Sequence, residues 1–485
     1  MNRKWVALLM TGSLLTGAGG TYGYLHYAGE LGAAESKVEL HTESNEEGAP
    51  QAINLEELDK VEKAYELILN SYVENVDQEK LIEGAIQGML TTLEDPYSVY
   101  MDKETAKQFR STLESSFEGI GAEVGLVDGK IVIVSPFKDS PAEKAGLRPN
   151  DQILSVDGES LDGVDLYEAT LKIRGEKGTK VKLEIARSGL TKPLVVDVKR
   201  DEIPQITVYS DVKNQNGKDI GYLEITSFSE ETAKEFKKEL KALEDKGIDG
   251  LLIDVRGNPG GLLSSVEEIL KEFVSKEKPF VQIEKRNGEK MRYFSNLTKD
   301  KEYPVAVLID KGSASASEIL AGALKEAEDF QLIGETTFGK GTVQQAVPMG
   351  DGSNIKLTLF KWLTPDGNWI HKKGIEPDVK VVQSELYHTH PLQITEALEK
   401  DMNNEQIKNA QQMLKALGLD PGREDGYFND RTETSVMAFQ RQHDLDMTGK
   451  IDSKTASALE SAVIEEMKKD SNDMQLQTGL RLLAK

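Results

Sequence analysis

The chain has no cysteine. Disulfides, thiolate metal sites and a cysteine nucleophile are therefore excluded, although the absence does not by itself choose a compartment. Histidine is sparse too: His26, His41, His371, His388, His390 and His443 show no metal-ligand spacing, so neither a metal nor a cofactor is expected. Positive charge is scarce, with 59 Lys and Arg against 83 Asp and Glu for a net charge of -24. That balance argues against the phosphate binding that drives nucleic-acid affinity, and no nucleic-acid partner is expected. The acidity reads as a soluble, self-repelling surface. At 485 residues the chain calls for two to four domains.

What is present is ordered along the chain. Asn2-Arg3-Lys4 precedes an apolar run from Trp5 to Leu15 that continues through small residues to Tyr27. This is the charge-then-apolar order of an export signal. No A-x-A site closes it, and Tyr22, Tyr24 and Tyr27 suit a membrane interface, so residues 1–28 read as a signal peptide or an uncleaved anchor. Residues 29–53 are polar and acidic, the composition of a linker. From 54 to 112 the chain reads as a helical module. Leu58, Val61, Tyr65, Ile68, Leu69 and Tyr72 recur at helical spacing, and Leu81, Ile82, Ala85, Met89 and Leu90 begin a second stripe. Such stripes pack within the chain or, if exposed, mediate a homodimer.

Between 113 and 200 short alternating segments dominate: Ala122 to Leu126, Lys130 to Val134, Gln152 to Val156, Val181 to Ala186 and Leu194 to Val198. Short helices are expected after Ser140 and over Leu166 to Ile173. Gly119-Ile120-Gly121, Ser140-Pro141-Ala142, Ala145-Gly146-Leu147, Asp151-Gln152-Ile153-Leu154 and Val156-Asp157-Gly158 together resemble a PDZ domain. From 201 to 400 strands and helices alternate: strands at Ile220 to Ile225, Leu251 to Val255 and Val305 to Ile309, and helices over Ala233 to Lys246, Leu262 to Val274 and after Ser315. This pattern favours an α/β layer with its site at the strand ends. A further strand is read over Asn354 to Leu363, and a helical stretch over Gln393 to Glu399. In residues 401–466, Gln411, Leu417-Gly418, Asp425-Gly426-Tyr427-Phe428, Phe439-Gln440 and Thr448-Gly449-Lys450-Ile451-Asp452 resemble a small three-helix peptidoglycan-binding domain. Residues 467–485 read as a closing helix without chemistry.

The chemistry concentrates in one stretch. The apolar run Val305 to Ile309 gives way to Gly312-Ser313-Ala314-Ser315-Ala316-Ser317-Glu318, and Gly339-Lys340-Gly341-Thr342 follows. A serine hydroxyl is a weak nucleophile until a base takes its proton, and a lysine can be that base only when held neutral, which demands desolvation from a pKa of about 10.4. Ser315 sits where a strand turns into a helix, with unpaired N–H groups and the macrodipole nearby. Ser313 and Ser317 compete with it, and a plain helix N-cap is the alternative for any of the three. If Gly339 to Val347 is extended, Lys340 and Gln344 share a face and the glutamine amide can orient the amine. Gly334, Gly339 and Lys340 nearly satisfy a phosphate loop, but Gly341 stands where Ser or Thr is needed. His371 offers a weaker Ser-His-Asp alternative. Asp254-Val255-Arg256-Gly257-Asn258-Pro259-Gly260-Gly261 is either an oxyanion turn or a plain strand-to-helix turn.

Taken together, residues 55–383 resemble the carboxyl-terminal processing peptidases, or tail-specific proteases. The resemblance implies a multidomain α/β protein with an N-terminal helical module, a PDZ-like β domain, an α/β serine protease core and a small helical C-terminal domain. It implies Ser315 as nucleophile, Lys340 as general base and Gln344 as the residue holding the lysine. Ala316 with Gly260 or Gly261 would supply the oxyanion N–H groups, and Gly119-Ile120-Gly121 would take the substrate's terminal carboxylate. Arg174, after the second PDZ helix, is a candidate link between peptide capture and activation. The implied partners are polypeptides with accessible C-termini, and peptidoglycan. The implied location is extracytoplasmic, secreted or anchored, and wall-associated. The rival readings are a non-catalytic wall-bound scaffold and a hydrolase of wall peptides.

Overall fold

The first apolar stripe forms α1 (Leu55–Ser71) and the second forms α2 (Gln78–Thr91). Asp77 caps α2, its carboxylate accepting from the N–H groups of Glu79 (3.0 Å) and Lys80 (3.3 Å). The computed structural model describes residues 55–485 apart from Ser115, Asp128, Asp165, Ser188, Gly189, Thr191, Gln393 and Thr395. The signal or anchor expected at 1–28 and the linker at 29–53 lie outside the described residues. The described chain divides into two units, one made of 55–109, 285–289 and 343–360 and a larger one holding the rest.

In the smaller unit the helical stripes stay largely open, with Leu58, Val61, Ile68, Ile82 and Met89 all exposed. β1 (Val99–Met101) runs antiparallel to residues 354–356. α3 (Lys103–Leu113) follows.

The larger unit begins with β2 (Ser116–Gly119), which returns as the antiparallel partner of β9 (Asp201–Pro204). Between these two strands lies the PDZ-like region: β3 (Ala122–Val127), β4 (Lys130–Pro136), α4 (Pro141–Lys144), β5 (Gln152–Val156), β6 (Glu159–Ser160), α5 (Leu166–Ile173), β7 (Lys180–Ala186) and β8 (Leu194–Lys199). Its sheet order is β3-β4-β5-β7-β8, so β3 is an edge. Val181, Leu183 and Ile185 are fully buried while Lys182 and Glu184 between them are not, the period of two that fixes register. Burying each such side chain is worth about 1.5–3 kcal/mol.

Next along the chain come β10 (Val208–Gln215), β11 (Lys218–Ile225), α6 (Thr232–Glu244), β12 (Gly250–Asp254), α7 (Leu263–Leu270), β13 (Pro279–Glu284), β14 (Lys290–Phe294), β15 (Val305–Ile309), α8 (Ala316–Glu328), β16 (Gln331–Gly334), β17 (Thr342–Pro348), β18 (Asn354–Leu363) and β19 (Val379–Lys380), of which residues 343–360 in β17 and β18 belong to the smaller unit. One sheet runs β10-β11-β12-β15-β16-β19, parallel from β11 onward. Every residue of β12 and β15 is buried, as a parallel sheet covered on both faces requires. Helices α6, α7 and α8 bring Phe236, Leu240, Val266, Ile269, Leu320 and Leu324 into the core.

The other face is closed from far along the chain. After three helices, α9 (Glu405–Ala416), α10 (Asp430–Gln442) and α11 (Ser453–Met467), the chain returns as α12 (Met474–Leu483). Leu476, Leu480 and Leu483 of α12 cluster with Ile220, Leu252, Ala306, Leu308 and Ile333. Gly479 lets this helix lie close, since a Cβ there would come within 2.9 Å of Leu252. The three preceding helices enclose their own core around Ile407, Leu414, Phe428, Val436, Phe439, Ile451 and Leu459. Gln411 and Gln440, both buried, pin its loops by accepting the N–H of Gly426 and Gly449. The helix read over Gln393 to Glu399 is corrected: Leu398 instead forms an antiparallel bridge with Ile451, and Leu392, Ile394 and Leu398 dock on the three-helix core. Their apolar spacing serves that docking and not a helix face.

Candidate active site

At the end of β15 the chain turns through Asp310, whose carboxylate accepts from the N–H groups of Gly257 (2.8 Å), Gly312 (2.9 Å) and Ser313 (3.0 Å). The three serines that follow differ in environment. Ser313, fully buried, donates its hydroxyl to the Val255 carbonyl at 2.8 Å, and Ser317, also fully buried, donates to the Asn258 carbonyl at 2.9 Å. Ser315 is only partly buried and caps α8 with φ +55° and ψ -111°, a conformation that non-glycine residues rarely adopt. Ala316 opens the helix, where the first backbone N–H groups have no intrahelical acceptor.

The 254–261 turn is knitted to this segment. Asn258, fully buried, donates its amide to the Ile225 carbonyl (2.7 Å), and its own carbonyl accepts the N–H of Ala314 (3.0 Å). Gly260 (φ +102°) and Gly261 (φ +148°) occupy backbone regions that side chains avoid. A Cβ on Gly260 would sit 2.8 Å from Ser315 Cβ and 3.0 Å from the Ala316 nitrogen, and one on Gly261 would fall 2.0 Å from the Phe228 carbonyl oxygen. The Gly260 N–H is already donated to Asn258 Oδ1 at 2.9 Å.

Glu318, in the first turn of α8, links the Ser315 turn to the Lys340 loop. Its fully buried carboxylate accepts four hydrogen bonds: from Ser315 N–H (2.8 Å) and Lys340 N–H (2.8 Å) on Oε2, and from Thr337 Oγ1 (2.6 Å) and Gly339 N–H (2.7 Å) on Oε1. Lys340 itself is partly buried, and its carbonyl accepts from Trp362 Nε1 at 2.8 Å. The glycines flanking Lys340 lie against backbone: a Cβ on Gly339 would meet the nitrogens of Lys373 and Gly374, and one on Gly341 the nitrogen of His371. His371 stacks on Trp369, centroids 5.2 Å apart. β17 starts only at Thr342, so Gln344 lies on a strand while Lys340 precedes it, with Gly339 at φ +90°. The common-face argument from strand period therefore does not extend to Lys340. Gln344, in the smaller unit, donates its amide to Thr358 Oγ1 at 3.1 Å. The Thr358 N–H in turn donates to Ser98 Oγ at 3.0 Å.

Arg256, between β12 and the glycine turn, is held by two acids. It bonds both carboxylate oxygens of Asp254 and both of Asp473. Burial opposes its charge, yet the two carboxylates hold the guanidinium well above its ordinary pKa. Burial also pushes up the pKa of Tyr222, whose hydroxyl donates to Asp254 at 2.8 Å, and the Asp254 charge adds to the shift. Asp473 is pushed up by burial but more strongly held down, chiefly by Arg256.

In the PDZ-like region Gly119 ends β2, Ile120 is buried, and Gly121 (φ +72°) packs against Ser140 and Ile203. The Ile120 carbonyl accepts the Ala142 N–H at 2.8 Å. Just beyond them β3, an open edge, lies beside α5. Arg174, exposed at the end of α5, places its guanidinium 4.7 Å from the centre of the Phe117 ring on β2.

Sequence reasoning named the serine, the lysine and the glycine turn but passed over Glu318, Asn258 and Asp473. Glu318 carried a signal, standing three residues after Ser315 in the pattern of a capping box. Asp473 carried none, because its partner lies 217 residues away.

Four known families match along the chain: the activating protease CtpB N-terminal domain at residues 14–105, a PDZ domain at 119–198, Peptidase family S41 at 219–381 and a putative peptidoglycan binding domain at 403–459. The carboxy-terminal processing protease CtpB of Bacillus subtilis is 58% identical over 483 residues, covering 100% of this chain and 99% of that protein. CtpA of the same organism is 46% identical over 428 residues, 88% of this chain and 90% of its own length. A probable CtpA-like serine protease of Staphylococcus aureus (strain N315) is 36% identical over 414 residues, 85% of this chain and 82% of its own. With this similarity along its whole length, the chain belongs to peptidase family S41 and is a carboxy-terminal processing serine protease with a PDZ domain.

Proposed function

We propose that this protease cleaves peptide bonds by acylation of Ser315, with Lys340 as general base. The Ser315 oxygen attacks the scissile carbonyl carbon while its proton passes to the Lys340 amine, which then protonates the leaving amine. Water hydrolyses the acyl-enzyme with the lysine again acting as base. The observation that carries the reading is the shared acceptor: one oxygen of Glu318 takes the backbone N–H of both Ser315 and Lys340. The spent hydroxyls of Ser313 and Ser317 favour Ser315 among the three serines. Gln344 is assigned to hold the lysine on its motif position. Ala316 supplies one oxyanion N–H; of the two glycines Gly261 is the better donor, because the Gly260 N–H is committed to Asn258.

Substrate selection follows from the PDZ domain, taken as residues 113–200. Gly119-Ile120-Gly121 would receive a terminal carboxylate, with the peptide adding as a strand to the open β3 edge. Arg174, stacked on the ribbon through which the PDZ domain joins the chain, would relay occupancy to the protease. The peptidoglycan-binding-like module, 401–466, supports a cell-envelope location, reached through the export signal or anchor read at 1–28. Among the described residues no helix is long and apolar enough to cross a membrane. The exposed faces of α1 and α2 suit a homodimer contact.

The test is cleavage of an unfolded polypeptide with a free C-terminus. Ser315→Ala and Lys340→Ala are expected to abolish cleavage with the fold intact by circular dichroism. Cleavage persisting in both variants would refute the mechanism. Retained cleavage of wall peptides with none of the polypeptide would favour the wall-hydrolase reading.

A further inference from the structure

Arg256 has five N–H donors, and each finds an acceptor: Nε on Asp254, Nη2 on Asp254 Oδ2 (2.6 Å) and Asp473 Oδ2 (2.8 Å), Nη1 on Asp473 Oδ1 (2.9 Å) and Gln475 Oε1 (3.0 Å). Asp254 alone would balance the charge. The second acid and the amide come from the segment that returns after the three-helix module. That segment is itself fixed from both ends. Asp473 caps α12 by accepting the Leu476 N–H (2.9 Å) and accepts the Gln383 amide (2.7 Å), while Gln475 donates to the Val381 carbonyl (2.9 Å). Replacing a buried ion pair by packed apolar groups often leaves stability unchanged or improves it, so such a cluster is better explained by the geometry it imposes than by the energy it adds.

The geometry imposed here is that of the oxyanion turn. From Arg256 the chain reaches Gly260 in four residues, and Gly257, Gly260 and Gly261 have no side chains with which to hold themselves. The turn is fixed by Asp310 on the Gly257 N–H, by Asn258, and at its origin by Arg256. The Gly260 backbone lies against Ser315 and Ala316, where a Cβ on Gly260 would come 2.8 Å from Ser315 Cβ and 3.0 Å from the Ala316 nitrogen. We propose that Asp473 is a positioning residue of the acylation site, acting through Arg256 on the 257–261 turn. The segment after α11 is thereby a working part of the peptidase and not only a cover for its sheet. This inference rests on the reading of Ser315 as nucleophile.

The test uses the full chain, a peptide substrate and a fluorophosphonate that labels an activated serine. Asp473→Asn keeps the volume and a capping oxygen but turns an amide toward Arg256. The expected result is a fall in kcat of about ten- to a hundredfold, the range for a misaimed and not a missing oxyanion donor, with KM changed less than about twofold. Labelling should slow in parallel. Leu480→Ala loosens the same helix without touching Arg256 and is expected to lower the melting temperature while leaving kcat at 25 °C within about twofold. Either wild-type kcat and labelling in Asp473→Asn, or an equal loss of kcat in Leu480→Ala, would overturn the proposal. Should Asp473→Asn not fold, Gln475→Leu, which removes one acceptor from Arg256, decides it: a kcat loss without a KM change supports the proposal, and unchanged kcat ends it. Labelling that survives Ser315→Ala would instead refute the underlying reading.

Discussion

Replacing Glu318 by glutamine changes one oxygen to an NH₂ group inside a cluster of four donors. Oε2 serves two backbone N–H groups that cannot reverse, so the new amide nitrogen is forced to the Oε1 side, facing Thr337 and Gly339. The Thr337 hydroxyl can turn to accept, but its oxygen already accepts the Ile375 N–H at 2.7 Å, and its own proton is then left to find a new partner. The Gly339 N–H is left facing a donor. One buried unsatisfied group costs about 1–3 kcal/mol, and losing charge-assisted bonds adds to it, for a total of about 2–4 kcal/mol. If half of that is expressed as misplacement of the Lys340 loop against Ser315, kcat falls about five- to thirtyfold. Steady-state cleavage of a peptide with a free C-terminus, with a thermal melt on the same sample, measures both parts. Wild-type kcat together with a wild-type melt would refute the reasoning, since it would mean the carboxylate is not what joins the two loops.

Gly260→Ala puts a methyl group 2.8 Å from Ser315 Cβ and 2.7 Å from the Ala314 carbonyl oxygen, at a φ of +102°. The turn must move, and kcat is expected to drop about a hundredfold; activity near wild type would show that the turn does not set the acylation geometry. Arg174→Ala is expected to abolish stimulation by C-terminal peptides while sparing cleavage of a short peptide that bypasses the PDZ domain, and unchanged kinetics with both would sink the relay. Burial pushes the Asp151 carboxyl up, but Arg187, bonded to it at 2.7 Å, and the Arg148 N–H bring it below the ordinary aspartate value. A depressed folded pKa gives stability that is present above about pH 4 and lost as pH falls through the folded value. PDZ unfolding monitored from pH 6 to pH 2 should lose this contribution in acid, and Arg187→Met should flatten the dependence; identical profiles would exclude it.

The sequence alone determined much of this protein. The apolar runs Leu251 to Ile253 and Val305 to Ile309 suit strands covered on both faces, and Gly312 to Glu318 reads as a strand-to-helix turn at the end of one of them. Local patterning also placed the PDZ strands, because burial on alternate residues is written in the order of the chain. What the sequence left open depended on partners distant along it. Three serines within five residues are equivalent until the tertiary structure gives Ser313 and Ser317 the carbonyls of Val255 and Asn258. Extended backbone does not cross Lys340: Gly339 takes φ +90°, β17 starts only at Thr342, and Gly339 and Gly341 lie against residues 369–374. The closing helix covers the second face of the sheet, and Asp473 at its start bonds Arg256. Period and composition encode contacts within one element; a carboxylate shared between two loops, or a guanidinium clamped from 217 residues away, exists only once the chain has closed on itself.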